Sequence, residues 1–263
     1  MNLGIKDKTA LVTASSRGLG KAIALQLSRE GANVAICARK EDKLFQAKKD
    51  IAERTGGQVV AQAADVTDKD QVKKLVKSVV DNFGTLDILI CNAGGPPSGT
   101  AEDFGTDDYR KALELNLLST VNLCYQAAPH MKNQNWGRIV NLTSVSAKQP
   151  IDSLILSNTA RAGVLGFSKS LSSQLAPYGI TVNSVCPGYT RTERVENLAM
   201  SYEKAGKGSA LDFFQNIEKN IPMGRFGRPY EIAAAVVFLC SEAASYITGV
   251  ALQVDGGFVK SIF

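Results

Sequence analysis

Two short stretches of this chain carry residue types that could do chemistry. Thr13 to Gly20 reads T-A-S-S-R-G-L-G and runs straight into a helical K-A-I-A-L-Q-L-S-R-E. Gly18 and Gly20 let backbone approach a phosphate closely, at a helix N-terminus whose free N–H groups and dipole favour an anion. Thr13, Ser15, Ser16, Arg17 and Leu19 complete the turn. Two glycines also fit a plain strand-to-helix turn, but their place after the first apolar run favours a nucleotide site. The second stretch, L-S-N-T-A-R-A-G from Leu156 to Gly163, opens a long helix with Ser157, Asn158, Thr159 and Arg161 as its functional groups. Ser157 and Arg161, four apart, project from one helix face. A serine hydroxyl and a guanidinium both hold their protons too tightly to be good acids at neutral pH.

Other chemistries have little to work with. His130, in A-A-P-H-M, is the only histidine, so neither a zinc site nor a histidine-based serine triad is expected, and it reads as a helix-packing residue. The cysteines Cys37, Cys91, Cys124, Cys186 and Cys240 are odd in number and form no C-x-x-C pair, which predicts buried free thiols and no metal. A net charge of +5 and a pI near 8.9 could attract nucleic acid, yet the bases are interspersed with acids as on an ordinary solvated surface. Residues 1–11 contain no apolar signal core, and no run approaches the roughly 18 apolar residues of a membrane span, so a cytoplasmic protein is expected.

The elements that must position these groups follow from hydrophobic patterning. Apolar runs at 9–14, 33–38, 58–63, 86–91, 137–143, 180–185 and 250–254 alternate with longer amphipathic segments. Runs apolar on nearly every residue suit parallel strands covered on both faces, with the amphipathic segments as crossovers. The expected fold is α/β: a doubly wound Rossmann fold with a seven-stranded parallel sheet and helices on both faces. At 263 residues and 44% apolar composition, one dinucleotide-binding domain, residues 1–263, is expected. Ligands in such sheets bind beyond the carboxyl ends of the strands, where the motifs sit.

The second strand ends Cys37-Ala38-Arg39-Lys40, with no acid before Glu41. An NAD site usually places an acid near that end for the ribose 2′-hydroxyl. Arg39, with Arg17 and Lys40, would instead attract a 2′-phosphate, so NADP is favoured over NAD; otherwise these are solvated bases.

The series T-x-x-x-x-G-x-G, A-D-V after the third strand, N-A-G after the fourth, a serine after the fifth and P-G after the sixth resembles that of short-chain dehydrogenases/reductases, from Asp7 to the C-terminus. The closing R-F-G-R-P-Y-E-I-A and Y-I-T-G-V-A-L-Q-V-D-G-G resemble the branch of 3-oxoacyl-carrier-protein reductases and glucose dehydrogenases. The resemblance implies that Asp65 and Val66 hold the adenine, Asn92, Ala93 and Gly94 the adenosine ribose region, and Pro187, Gly188 and Thr192 the nicotinamide. Where that family has the first glycine of its turn this chain has Ala14, which is compatible with the turn at negative φ.

The family's catalytic set is an asparagine, a serine and a Y-x-x-x-K pair thirteen residues beyond the serine. Asn116 and Ser144 match, but the counted positions hold Ser157 and Arg161, and no tyrosine occurs between Tyr125 and Tyr178. Arg161 keeps a positive charge and can bond ribose hydroxyls, but it cannot relay a proton. Losing general acid catalysis costs about 10² to 10⁴ in rate, whereas positioning two reactants contributes ~7 to 11 kcal/mol, so slow hydride transfer can persist. A water oriented by Ser144 and Ser157 is one proton source; Tyr189, Lys148 and Asp152 are substitutes whose competing reading is structural.

Two functions result: an NADP(H)-dependent oxidoreductase reducing a small-molecule or acyl-thioester carbonyl, or an NADP-binding subunit without turnover. Residues 189–222, with Leu198, Met200, Tyr202, Leu211, Phe213, Phe214 and the glycines Gly206 and Gly208, form either a substrate lid or a helix pair packed on the body. Arg191 and Arg194 there could meet an acidic carrier. The resemblance also implies a homotetramer, with the helix carrying Ser157 against its symmetry mate and the end from Phe258 to Phe263 buried at another interface.

Overall fold

The computed structural model describes residues 2–262 except 205 and 207. In chain order its regular elements are β1 (Thr9–Val12), α1 (Gly18–Arg29), β2 (Asn33–Ala38), α2 (Glu41–Thr55), β3 (Val59–Ala63), α3 (Lys69–Phe83), β4 (Ile88–Cys91), α4 (Thr106–Leu113), α5 (Ser119–Asn133), β5 (Gly137–Leu142), α6 (Ile155–Leu175), β6 (Ile180–Pro187), α7 (Glu193–Lys204), α8 (Ala210–Glu218), α9 (Pro229–Leu239) and β7 (Ala251–Val254). The seven strands form one parallel sheet in the order β3-β2-β1-β4-β5-β6-β7. Each expected run except the sixth contains its strand. The first stops at Val12 because the chain turns at Thr13, and the sixth extends to Pro187.

Alternation along each strand feeds two cores. Val12, Ile36, Ile90, Val140 and Val185 face α1, α2 and α9, packing on Ile23, Leu27, Leu44 and Val236. Leu11, Ala35, Leu89, Ile139 and Val182 face α3, α5 and α6, packing on Leu75, Val79, Leu123 and Leu171. Burying one such Leu or Ile contributes about 1.5 to 3 kcal/mol. Because both faces are covered, the central strands β1, β4, β5 and β6 are buried at every position, which is why their sequences are largely apolar; the polar exceptions in β5 and β6, such as Asn141 and Asn183, are buried and hydrogen-bonded.

Local signals set the helix ends. Asp68 caps α3 by accepting from the N–H groups of Asp70 and Gln71, and Gly84 ends it at φ +80°. At α1 the capping position is Arg17, whose side chain makes no capping bond, so the N–H groups of the first turn await a partner from outside the helix. Between α4 and α5 the chain makes a π turn, Glu114–Leu118, which the sequence did not announce.

All five cysteines are buried and free, and His130 is half-buried on α5, as expected. No helix among the described residues is long and apolar enough to cross a membrane. At the C-terminus Phe258 and Val259 are half-buried and Ile262 is exposed; Phe263, like Met1, lies outside the described residues.

Candidate active site

Strand order reverses between β1 and β4, which opens a crevice at the carboxyl ends of the two strands, and T-A-S-S-R-G-L-G lies in it. Thr13 and Ser15 are wholly buried and shape the turn. Thr13 Oγ1 donates to the Asn92 carbonyl (2.7 Å) and accepts from the Asn92 N–H (2.8 Å). Ser15 Oγ donates to the Val12 carbonyl (2.6 Å) and accepts from the Cys37 N–H (3.1 Å). Asn92 Nδ2 donates to the carbonyls of Thr13 (3.2 Å) and Ala14 (3.3 Å), tying the β4 loop to the β1 turn.

Ala14 corrects the expectation of negative φ: it sits at +47°. The turn needs a left-handed residue there so that the Ala14 carbonyl can fold back over Gly20. A Cβ on Gly20 would stand 2.5 Å from that carbonyl and 2.9 Å from Asn92 Nδ2, so the site admits only glycine. An alanine at positive φ costs roughly 1 to 2 kcal/mol, which the surrounding hydrogen bonds offset. Gly18 takes the same region at +58°.

These features fit a dinucleotide. The Cβ-free approach at Gly20 and the uncapped first turn of α1 make a cradle for a diphosphate. Around it stand cations. Arg39 is 74% exposed and 3.9 Å from Asp65. Asp65 in turn accepts at Oδ1 from the N–H and hydroxyl of Thr67, at 3.0 and 2.8 Å, so its carboxylate orders the turn after β3, in which Val66 itself is buried in the core beside α3. Lys40 is exposed at the start of α2. Arg17 donates to Glu193 at the head of α7, and Lys43 lies 3.8 Å from the same carboxylate. Neither Lys43 nor Glu193 was visible as a site residue in the sequence, because nothing in linear spacing brings α2 and α7 to the phosphate turn.

On the other side of the crevice, Asn116 lies in the π turn and donates from Nδ2 to the Gly94 carbonyl at 2.9 Å. π turns free backbone and side-chain groups from the helical ladder and recur at functional sites. Asn116 Oδ1 is buried with no partner among the described residues, a place for an ordered water. Ser144 caps a short 3₁₀ turn, accepting from the Ser146 N–H at 3.1 Å. Ser157 is buried on α6 and pairs with the Ser146 hydroxyl at 3.2 Å, so no hydrogen bond joins Ser144 to Ser157 directly. Ser146, which the sequence reading passed over, is the link between them; its only advance signal was its place two residues after Ser144.

Arg161 is 9% exposed and donates from Nη1 to the carbonyls of Leu142 (3.2 Å) and Thr143 (3.0 Å) at the end of β5. Burial, with repulsion from Arg194, pulls its pKa down to about 10, which leaves it cationic at neutral pH. The other polar groups of this stretch are structural: Asn158 clasps Ile151 through its N–H (3.3 Å) and carbonyl (3.0 Å), and Thr159 bonds the Ile155 carbonyl (2.9 Å).

Two of the three substitute acids are engaged with other groups and the third is exposed. Tyr189 packs edge-on against Phe226 and Phe258, and burial raises its pKa, which makes it a weaker acid. Lys148 donates to the Ala251 carbonyl (3.3 Å), and Asp152 is exposed. At the end of β6, Pro187 leads into Gly188, where a Cβ would meet Asp255 at 2.7 Å, and the Thr192 carbonyl accepts from the first turn of α7.

In the segment after Thr192, Phe214 and Ala199 form a small core with Phe226, while Leu198, Met200 and Leu211 are exposed. Gly206 and Gly208 have φ of +68° and +134°. Arg191 stacks over the Phe214 ring at 3.8 Å. Arg194 reaches across the crevice from α7 to the carbonyls of Gly95 (3.2 Å) and Pro96 (3.3 Å).

Known proteins agree with this geometry. Residues 13–259 match the family model described as enoyl-(acyl carrier protein) reductase. A putative ketoacyl reductase of Streptomyces coelicolor is 34% identical, over 95% of this chain and 97% of that protein. The 3-oxoacyl-[acyl-carrier-protein] reductase FabG of Aquifex aeolicus is 33% identical, over 98% and 99%. Among solved structures, L-sorbose reductase from Gluconobacter frateurii, complexed with NADPH and L-sorbose, superposes with a TM-score of 0.96 at 34% identity over the whole of both chains. The actinorhodin polyketide ketoreductase with NADPH gives 0.92 at 33% identity, over 97% of this chain and 98% of the other. With its seven-stranded parallel sheet, its glycine turn and its relatives all pointing one way, the chain belongs to the short-chain dehydrogenase/reductase family.

Proposed function

We propose that the protein is an NADP(H)-dependent oxidoreductase that reduces a carbonyl by hydride transfer, similar to 3-oxoacyl-carrier-protein reductases, on a small-molecule or acyl-thioester substrate. The observation that carries this reading is the cradle at Gly18 and Gly20 beneath the uncapped α1, flanked by Arg17 and Arg39 and by no acid of its own at the end of β2. The relatives that are 3-oxoacyl-[acyl-carrier-protein] reductases, and the solved reductases complexed with NADPH, support it. Nothing among them supports a cofactor-binding subunit without turnover.

Thr13, Ser15 and Asn92 hold the turn in shape; Ser16, Gly18, Leu19 and Gly20 present backbone to the diphosphate. Arg39, Lys40 and Arg17 meet the 2′-phosphate, Asp65 and Val66 line the adenine end, Ala93 and Gly94 the ribose, and Pro187, Gly188 and Thr192 the nicotinamide. When bound, the reduced nicotinamide supplies the hydride.

Ser157 and Arg161 stand where the family's tyrosine and lysine stand in sequence. The carbonyl oxygen is held by the Ser144 hydroxyl, and Arg161 places a desolvated cation near the charge that develops on it. Such a preorganised charge is worth roughly 2.7 to 4 kcal/mol in sites where one donor has been removed. The proton comes from a water lodged between the Ser144, Ser146 and Ser157 hydroxyls and replenished through the acceptor at Asn116 Oδ1. Residues 189–222 act as the lid, latched to the β4 loop by Arg194. Five free thiols fit a cytoplasmic setting. Tyr125, 61% exposed beside Phe167 on the α5–α6 face, supports packing against a second copy in a homotetramer.

The test is NADPH oxidation at high protein concentration across ketoacyl thioesters, small ketones and aldehydes. Turnover that falls on Ser144→Ala supports the reading; NADPH bound tightly with no substrate consumed would sink it.

A further inference from the structure

The end of β2 carries no acid of its own, yet the fold brings one to the same place. Glu193, the first residue of α7, accepts at Oε1 from Arg17 Nη1 in the phosphate turn, and Lys43 Nζ on α2 lies 3.8 Å from the same oxygen. Arg39 keeps only a longer contact, 3.9 Å, with Asp65. So one of the three bases assigned to the 2′-phosphate is already engaged by a carboxylate that local sequence does not place there.

The position of Glu193 is fixed from both sides. Its neighbour Thr192 lies against the turn itself, since a Cβ on Gly18 would stand 3.9 Å from the Thr192 Cγ2, and the Thr192 carbonyl closes the first turn of α7 by accepting from the Val195 and Glu196 N–H groups. Its other neighbour, Arg194, donates to the Gly95 and Pro96 carbonyls on the far bank of the crevice. The head of α7 thus bridges the β1 turn and the β4 loop, and the carboxylate between these two anchors points at the bases beside α1 and α2. An anion held there must share Arg17 with any phosphate that binds.

Resting on the reading of Arg17 as a ligand of the 2′-phosphate, we infer that Glu193 sets how strongly the protein prefers NADP(H) to NAD(H), by competing with that phosphate for Arg17. A phosphate monoester carries about −1.5 to −2 charges near neutral pH, so it is drawn to the guanidinium and repelled by the carboxylate beside it. NAD(H), with a hydroxyl in that place, leaves the pair of Arg17 and Glu193 undisturbed. Discrimination is therefore smaller than Arg17, Arg39 and Lys40 would produce without Glu193. Because the two side chains are 56% and 47% exposed, solvent screens the competition and its effect is a few-fold rather than thousands-fold.

The test is direct binding of NADPH and of NADH, titrated by fluorescence at one ionic strength into the wild-type protein, Glu193→Gln, Arg17→Gln and the double variant. Glu193→Gln should tighten NADPH by at least about threefold and leave NADH within about twofold, and most of the NADPH gain should vanish when Arg17 is already replaced. A smaller gain, a gain as large for NADH, a loss of NADPH affinity, or a gain kept in full in the Arg17→Gln background would each overturn the inference. Melting temperatures are read alongside, and Glu193→Ala takes the place of Glu193→Gln if the latter melts early. Arg17→Gln alone separates the two levels. If it weakens NADPH while Glu193→Gln changes nothing, the competition fails and the cofactor reading stands; if it leaves NADPH binding unchanged, the assignment of Arg17 to the 2′-phosphate fails and takes the inference with it.

Discussion

Residues 13–20 and residues 144–161 lie along the same edge of one sheet, and they treat polar groups in opposite ways. In the cofactor turn the buried hydroxyls and amides of Thr13, Ser15 and Asn92 are all engaged with backbone, and the strain at Ala14 is held by those bonds. In the catalytic stretch, Asn116 Oδ1 has no partner among the described residues, three serines share weakly directed hydroxyls, and Arg161 is buried without an acid. In the first region the chain satisfies its own buried side chains and leaves only the first-turn N–H groups of α1 for a ligand; in the second a buried amide oxygen is left without a partner as well. A grip on a constant ligand can be built in advance, whereas a reaction centre must leave bonding capacity for the atoms that change.

The comparison breaks most visibly if the acid is restored. Ser157→Tyr with Arg161→Lys places a phenol and an ammonium four apart on one face of α6, and kcat for a simple ketone should rise by about 10² to 10⁴. An unchanged rate in NADPH oxidation would mean that the water route is already as good as a phenol. Gly20→Val attacks the other region. Its Cβ would sit 2.5 Å from the Ala14 carbonyl, and NADPH affinity by fluorescence titration should fall by roughly 100-fold or more, in a protein whose circular dichroism shows the fold intact.

A pH profile sharpens the contrast further. In the proposed mechanism Arg161 is the cation of the site, and burial lowers its folded pKa to about 10, so on that reading the competent charged form is present below that pH and lost above it. The rate should therefore be flat from pH 6 to 9 and fall by about tenfold per unit above 10, provided the fold survives, with no ionisation near neutrality. The same lowered pKa means that burial of the cation opposes folding below pH 10 and ceases to do so as the arginine deprotonates. The smallest effect is expected at Ala14→Gly. Relief of the +47° φ gains roughly 1 to 2 kcal/mol and the freer unfolded chain costs about 0.4 to 1, so stability in urea should rise by up to about 1.6 kcal/mol with NADPH affinity unchanged.

The strands were legible because apolar runs such as 88–91 and 180–185 are buried on both faces, which leaves no choice of period. The glycine turn was legible because Gly18 and Gly20 are needed at fixed spacing after a strand. Ala14 was misread, since a sequence shows which residue occupies a turn but not the φ its neighbours demand. Lys43, Ser146 and Glu193 went unread for a related reason: each acts through a partner on another element, and no local pattern marks that.

Sequence alone determined the doubly wound sheet, the cofactor class and the lack of any tyrosine between Tyr125 and Tyr178, because patterning, charge at a strand end and residue identity are local properties of the chain. Only the tertiary structure decided that Ser157 meets Ser146 and that Arg161 is buried without a counter-charge. Burial and pairing depend on which segments pack together: here α6 meets the end of β5 and its loop, and α7 reaches the β4 loop through Arg194.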